Sequence, residues 1–244
     1  MQKVYERPES LVDVQMSYCP GCMHGTVHRM IGEIIDELGV REKTVGVCPV
    51  GCAVFMYDYM SFDMIQAAHG RAPAVATGVK RTLPDSVVFT YQGDGDLAAI
   101  GTAEIIHAAA RGERITTIFI NNTTYGMTGG QMAPTTLLGQ KSTTCPTGRE
   151  AIQAGYPIRV CELLATLDGP AYLARVAPVD PAGLMKTQKA IKKAFQKQIE
   201  GRGFSLVEIL CNCPTQLRIS PVDSLKWVEE NMIPHYPLGE FVDR

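Results

Sequence analysis

The feature that most constrains this chain is a series of short strand-like runs, apolar on both faces, set between segments of helical period. "VVFTYQ" (Val87 to Gln92), "ITTIFIN" (Ile115 to Asn121) and "FSLVEIL" (Phe204 to Leu210) are rich in β-branched and aromatic residues. "TVGVC" (Thr44 to Cys48) and "AYLARVA" (Ala171 to Ala177) are weaker examples. Between them, "TVHRMIGEIIDELG" places Val27, Met30, Ile31, Ile34, Ile35 and Leu38 on one helical face and meets a stop at Gly39. "LAAIGTAEIIHAAARG" ends at Gly112, and "PAGLMKTQKAIKKAFQKQIEG" opens on proline and ends at Gly201. Strands buried on both sides and alternating with helices predict an α/β fold, a mostly parallel sheet with helices on both faces. No internal repeat or low-complexity segment interrupts it. The stretch 131–158 lacks periodicity and reads as a long functional loop. The closing "IPHYPLGEFVDR" reads as a tail that needs another surface to order it.

Composition bounds the setting. A formal net charge of -2 offers no footprint for nucleic acid or an anionic membrane. No apolar stretch approaches the roughly 20 residues of a membrane span. "MQKVYERPES" lacks the apolar core of a signal peptide, so a cytoplasmic location is expected. There thiols stay reduced, and eight cysteines do not suggest a disulfide framework. Grouped cysteines then point to a metal or cluster, isolated ones to packing.

The most informative local stretch is "YQGDGDLAAIG", Tyr91 to Gly101. A strand ends, a Gly-Asp-Gly turn follows and a helix begins, which presents free backbone N–H groups to a phosphate. The glycines Gly93 and Gly95 allow close approach. Asp94 makes sense beside phosphate if a divalent cation bridges the two. Alone, the tripeptide is more often an ordinary turn. The second piece, "IFINNTTYGMTGGQ", starts at the end of the next strand. Asp94 and Asn122 then emerge at the carboxyl ends of neighbouring parallel strands, where open α/β sheets bind ligands. Asn122 can offer a side-chain oxygen to the cation, Thr124 a backbone carbonyl and Thr128 a hydroxyl.

These two pieces resemble the thiamine diphosphate signature. The resemblance implies that Asp94, Asn122 and the Thr124 carbonyl hold Mg²⁺, with the backbone N–H groups of Gly95 and Asp96 on the diphosphate. The ordered set "CPGC…GC…HGRAPAVATGVK…GDGD…NNTTYGMTGGQ…CPT", from about Tyr18 to Thr215, resembles the beta subunit of the 2-oxoacid:ferredoxin oxidoreductases. That family implies one thiamine diphosphate-binding domain over 1–244, with an N-terminal cluster-binding segment and a C-terminal tail. It also implies thiamine contacts from Val50, Gly51 and Ala53, from His69, Gly70, Arg71 and Ala72, and from Gly126, Met127 and Thr128. On its own, His69 reads equally as a surface histidine.

The family carries a 4Fe–4S cluster near the thiamine. Its Cys-x-x-Cys maps onto Cys19 and Cys22, and its late Cys-Pro-Thr onto Cys213. For the third ligand, Gly-Cys followed by a small residue selects Cys52 over Cys48. Cys48, Cys145, Cys161 and Cys211 take the reading of packing thiols. Four thiolates would also suit a structural zinc, which leaves a zinc-stapled phosphate-binding module as the alternative.

The resemblance further implies oxidative decarboxylation of a 2-oxoacid to its acyl-coenzyme A, with electrons leaving through the cluster to ferredoxin. No catalytic residue is assigned in this chain. The activating glutamate is expected on an alpha subunit, and gamma and delta subunits are further candidate partners. Relatives using 2-oxoglutarate often carry lysine after the threonine of Tyr-Gly-x-Thr; here that slot is Gly129. A missing cation disfavours a dicarboxylate, and Met127 offers an apolar contact. A branched-chain 2-oxoacid is therefore expected, with pyruvate or 2-oxoglutarate as alternatives.

Overall fold

The computed structural model describes residues 6–244. Its elements, in chain order, are α1 (His24–Glu37), β1 (Thr44–Cys48), β2 (Asp63–Gln66), α2 (Ala72–Thr82), β3 (Val87–Gly93), α3 (Thr102–Ala110) and β4 (Thr116–Asn121). A small hairpin follows, β5 (Thr124–Tyr125) and β6 (Gln131–Met132), then α4 (Ala151–Ala154), α5 (Val160–Ala165), β7 (Pro170–Val176), α6 (Pro181–Ile199) and β8 (Phe204–Leu210). The chain closes with α7 (Pro214–Leu217), α8 (Pro221–Trp227), α9 (Ile233–His235) and β9 (Gly239–Asp243).

Among the described residues the main sheet has seven strands in the order β2-β1-β3-β4-β8-β7-β9. Its neighbours are parallel, except that β9 runs antiparallel to β7. Alternation along each strand divides the core in two. Phe89, Tyr91, Ile118, Val207 and Ile209 pack with α1 and α6 on one face. Val88, Phe119, Leu206 and Leu173 pack with α2, α3 and α5 on the other. This is why the central strands read as continuous apolar runs rather than as alternating ones.

α1 buries Val27, Ile31, Ile34 and Ile35 completely, about 1.5–3 kcal/mol for each side chain. The glycines expected as helix stops, Gly39, Gly112 and Gly201, all have positive φ (63°, 61° and 73°), the left-handed conformation of a C-terminal cap. The Asp180 carboxylate caps α6, accepting from the Gly183 N–H at 2.6 Å.

Two sequence expectations change. The tail does find a surface, and it is the chain's own: β9 pairs with β7 as the antiparallel edge strand. The expected helix from Leu97 begins as a π-type turn, Asp96–Ile100, before regular α3. No helix among the described residues is long and apolar enough to cross a membrane.

Candidate functional site

The site stands at one edge of the sheet. β1, β3, β4 and β8 are consecutive parallel neighbours, so their carboxyl ends share that edge. Gly93 aligns with Ile120, and Asn121 with Leu210. The segments carrying Asp94, Asn122 and Cys213 therefore leave adjacent strands side by side. The same edge receives Val50, Gly51, Cys52 and Ala53 just beyond β1.

Asp94 is 3% exposed. Its carboxylate accepts from the Gly95 N–H at 2.9 Å, the Thr124 N–H at 3.1 Å and the Thr135 hydroxyl at 2.8 Å. Burial nevertheless pushes its pKa up to about 6, because these neutral donors replace water only in part. Asn122 Oδ1 also accepts from the Thr124 N–H, at 3.3 Å, which brings the two oxygen donors around one amide. The turn between them is strained: Thr123 has φ 62°. Its N–H donates to Asn121 Oδ1 at 3.2 Å, and its carbonyl accepts from the Thr136 hydroxyl at 2.5 Å.

Asp96 has a different task for its side chain. It is 2% exposed and lies 2.5 Å from His69 Nδ1. It also accepts from the Gly70 N–H and from Gln92 Nε2, both at 2.6 Å. The carboxylate thus fastens the His-Gly-Arg-Ala element to the Gly-Asp-Gly turn, while the Asp96 carbonyl accepts from the Gly101 N–H at 2.8 Å. The junction needs glycine on both sides. Gly70 has φ 79°, and a Cβ there would strike Ile100 and the Gly101 N–H; one on Gly101 would strike the Gly70 carbonyl.

A cavity of about 310 Å³ opens between these elements. Of the residues named from sequence, Val50, Gly51, Cys52, Ala53, His69, Gly93, Asp94, Gly95, Asp96, Asn122, Thr124, Gly126, Met127 and Thr128 line it. Gly70, Arg71 and Ala72 do not. Gly70 is used in the backbone junction, Arg71 pairs with Glu104, and Ala72 is buried at the start of α2. Gly129 is also outside the lining, at φ 110° in the turn before β6. Its lack of a side chain is accounted for by the backbone, so the slot loses its force as a sign of substrate charge.

The four proposed cluster thiols converge from separate stretches. A Cβ on Gly126 would lie 3.5 Å from Cys213 Sγ, 3.6 Å from Cys52 Sγ and 3.8 Å from Asn122 Nδ2. Cys19 and Cys22 flank a tight turn, with the Cys22 N–H on the Cys19 carbonyl at 3.0 Å. Buried Asn212, next to Cys213, donates to the Gly21 carbonyl at 3.1 Å and so ties the two segments together. Burial, with Cys22, Cys213 and Cys19 adding to it, pushes the Cys52 thiol up to about 12. Cys213 is pushed to about 11 mainly by burial. By contrast, Cys48 and Cys211 are in the apolar core, and Cys161 is buried with its Sγ 3.6 Å from the Ala174 carbonyl. Cys145 is half-buried and donates to the Gly148 carbonyl at 3.0 Å.

The residues fit the groups expected from sequence. A buried, uncompensated carboxylate beside an amide oxygen suits a hard divalent cation. Gly95 lines the cavity, and its missing Cβ makes room for the Tyr125 ring. Thiols raised by burial and by one another are the groups that a cluster or metal would hold as thiolates. Among the described residues no three His, Cys, Asp or Glu side chains are grouped tightly around a single ion position.

Sequence reasoning missed His24, Ile100, Ile120 and Tyr125, which also line the cavity. It also missed Thr135. Two of these had a signal: His24 follows Cys22 by two residues, and Tyr125 lies between Thr124 and Gly126 in the Tyr-Gly-x-Thr motif.

Comparison with known proteins adds the family. Residues 49–209 match the thiamine pyrophosphate enzyme C-terminal TPP binding domain. The whole chain is 49% identical to the ketoisovalerate oxidoreductase subunit VorA of Methanothermobacter thermautotrophicus, spanning 53% of that protein. It is 38% identical to the 2-oxoglutarate synthase subunit KorB of Archaeoglobus fulgidus, over 93% of this chain and 79% of that one. The fold is that of a chain of the 2-oxoglutarate:ferredoxin oxidoreductase from Magnetococcus marinus, solved with 2-oxoglutarate, coenzyme A and succinyl-CoA bound. The TM-score is 0.81 at 24% identity, covering 99% of this chain and 86% of that one. The chain spans about half the length of the ketoisovalerate oxidoreductase relatives it matches.

Proposed function

Because the chain belongs to the thiamine pyrophosphate enzymes and, within them, to the 2-oxoacid oxidoreductase subunits, we propose that it is the thiamine diphosphate- and cluster-holding part of a 2-oxoacid:ferredoxin oxidoreductase. The observation that carries this reading is at Gly126, where one Cβ position would lie within 4 Å of the Cys52 and Cys213 thiols and of the Asn122 amide. The thiol group and the metal-binding turn thus adjoin one cavity.

In this reading Asp94, Asn122 and the Thr124 carbonyl hold Mg²⁺. The N–H groups of Gly95 and Asp96 bind the diphosphate, and Asp96 keeps His69 against the same wall. Bound thiamine diphosphate supplies the nucleophilic carbon and the electron sink for decarboxylation. Cys19, Cys22, Cys52 and Cys213 hold a 4Fe–4S cluster, which passes electrons towards ferredoxin, and coenzyme A accepts the acyl group. A cluster suits thiols spread around a common space better than a single zinc, which draws its four sulfurs to about 2.3 Å. Among the described residues lining the cavity there is no free carboxylate to activate the cofactor, since Asp94 and Asp96 are both engaged; a partner subunit supplies that glutamate.

The substrate is a branched-chain 2-oxoacid. This rests on the ketoisovalerate relatives and on the apolar Met127, and no longer on Gly129. The test is anaerobic isolation with the partner subunit, followed by assay of 2-oxoisovalerate, pyruvate and 2-oxoglutarate with coenzyme A and ferredoxin. Preference for 2-oxoisovalerate, with no turnover by the isolated chain, supports the reading. Turnover of 2-oxoglutarate alone would overturn the substrate, and full activity of the isolated chain would overturn the division of labour.

A further inference from the structure

His24 is 4% exposed, yet its ring forms part of the cavity wall. Its Nδ1 lies 2.7 Å from the hydroxyl of Tyr91, which is fully buried. Among the described residues that hydroxyl has no other hydrogen-bond partner. A buried phenol donates its proton when it can, so Tyr91 is the donor and Nδ1 the acceptor. An imidazole that accepts at Nδ1 carries its proton on Nε2. Nε2 has no partner among the described residues, and it is absent from the fully enclosed polar atoms that lack one. It is therefore an unpaired, accessible N–H on a buried ring that lines the cavity.

The ring is also held still. Tyr18 stacks on it at 4.9 Å with 16° between the planes. Tyr18 is itself fixed, its hydroxyl 3.1 Å from the Cys52 carbonyl and 2.7 Å from His28 Nε2. A donor fixed in advance costs nothing to orient when an acceptor arrives. Through Tyr18, which bonds the Cys52 carbonyl, and Tyr91, on the strand that leads to Asp94, the His24 ring is tied to both sides of the cavity.

We infer that His24 donates its Nε2–H to an oxygen of the bound 2-oxoacid, with Tyr91 as the positioning residue that fixes the tautomer. The assignment rests on the reading of the cavity given above. A 2-oxoacid brings carboxylate and keto oxygens, acceptors that suit a lone neutral donor.

The experiment uses the anaerobically isolated complex and oxamate, an unreactive isostere of a 2-oxoacid. Oxamate affinity, thiamine diphosphate affinity and iron content are measured for wild type, His24→Leu, His24→Gln and Tyr91→Phe. His24→Leu weakens oxamate about tenfold to a hundredfold, as expected for losing a hydrogen bond to a charged group, with thiamine diphosphate and iron unchanged. His24→Gln, which keeps an N–H donor, recovers most of the affinity, and Tyr91→Phe shows a smaller loss. Unchanged oxamate binding in His24→Leu overturns the assignment, as does a loss confined to thiamine diphosphate. Should His24→Leu not fold, unchanged oxamate binding in Tyr91→Phe overturns it instead. A wild-type complex that binds no thiamine diphosphate would defeat the reading of the cavity itself, and the assignment with it.

Discussion

Arg175 and Glu208 form an ion pair in which neither side chain is exposed, Nε to Oε2 at 2.9 Å. The other Glu208 oxygen accepts from Asn121 Nδ2 at 2.8 Å, and Asn121 in turn accepts from the strained Thr123. The pair thus braces, from behind, the turn that presents Asn122 and Thr124. Arg175→Met leaves Glu208 buried and uncompensated and is expected to cost about 3–5 kcal/mol. Adding Glu208→Gln should restore part of it. Chemical denaturation of the two variants checks this; equal losses would show that the charge pairing is not what matters.

Asp94 gives a pH dependence with a definite sign. Its folded pKa, about 6, lies above the ordinary value of 3.8. Its contribution to stability is therefore fully present below the unfolded pKa and lost as pH rises through about 6. Mg²⁺ with thiamine diphosphate should reverse that loss, because the metal needs the ionised form. Thermal melts should show a ligand-induced rise in Tm at about pH 7.5 that shrinks below about pH 6. Asp94→Asn should show no such rise at either pH.

The cysteines divide by location. Cys52→Ser is expected to lose iron and cluster-dependent electron transfer, since its thiol shares a space with Cys213. Cys48→Ser should keep both, because Cys48 is fully buried at the end of β1, in the core that packs with α1 and α6. Iron assay of the two variants decides; the opposite pattern would place the ligand four residues upstream.

Gly129→Lys tests whether that slot selects substrate. At φ 110° any side chain is strained, by about 1–3 kcal/mol. The variant should lose stability while keeping its order of preference among 2-oxoacids. A switch to 2-oxoglutarate, measured as kcat/KM, would show that the slot does reach the substrate.

Much of the fold and of the site is legible in the amino-acid order. The strands from Thr44, Val87, Thr116, Pro170 and Phe204 announce themselves because burial on both faces leaves few polar residues to break the run. Asp94 and Asn122 follow from chain direction, since parallel neighbours must release them at one edge. α2 stays hidden because its buried face is made of small residues, Ala72, Pro73, Ala76 and Thr77, rather than of large apolar ones. β2 stays hidden as a short edge strand, exposed at Asp63 and Gln66. Contacts such as Thr135 to Asp94 and Tyr91 to His24 join residues far apart in sequence and leave no local pattern. Gly129 is hard to read for a related reason: its letter shows an absent side chain but not the φ of 110° that favours the absence.

Whether one cavity edge holds thiamine diphosphate beside an iron–sulfur cluster is the question on which the rest depends. Iron, acid-labile sulfide, zinc and thiamine diphosphate measured on the anaerobically isolated complex test it most directly. The expected result is bound thiamine diphosphate together with about four iron per copy of this chain beyond whatever the partners carry, lost on Cys52→Ser. Zinc in place of that iron, or a complex without thiamine diphosphate, would contradict it.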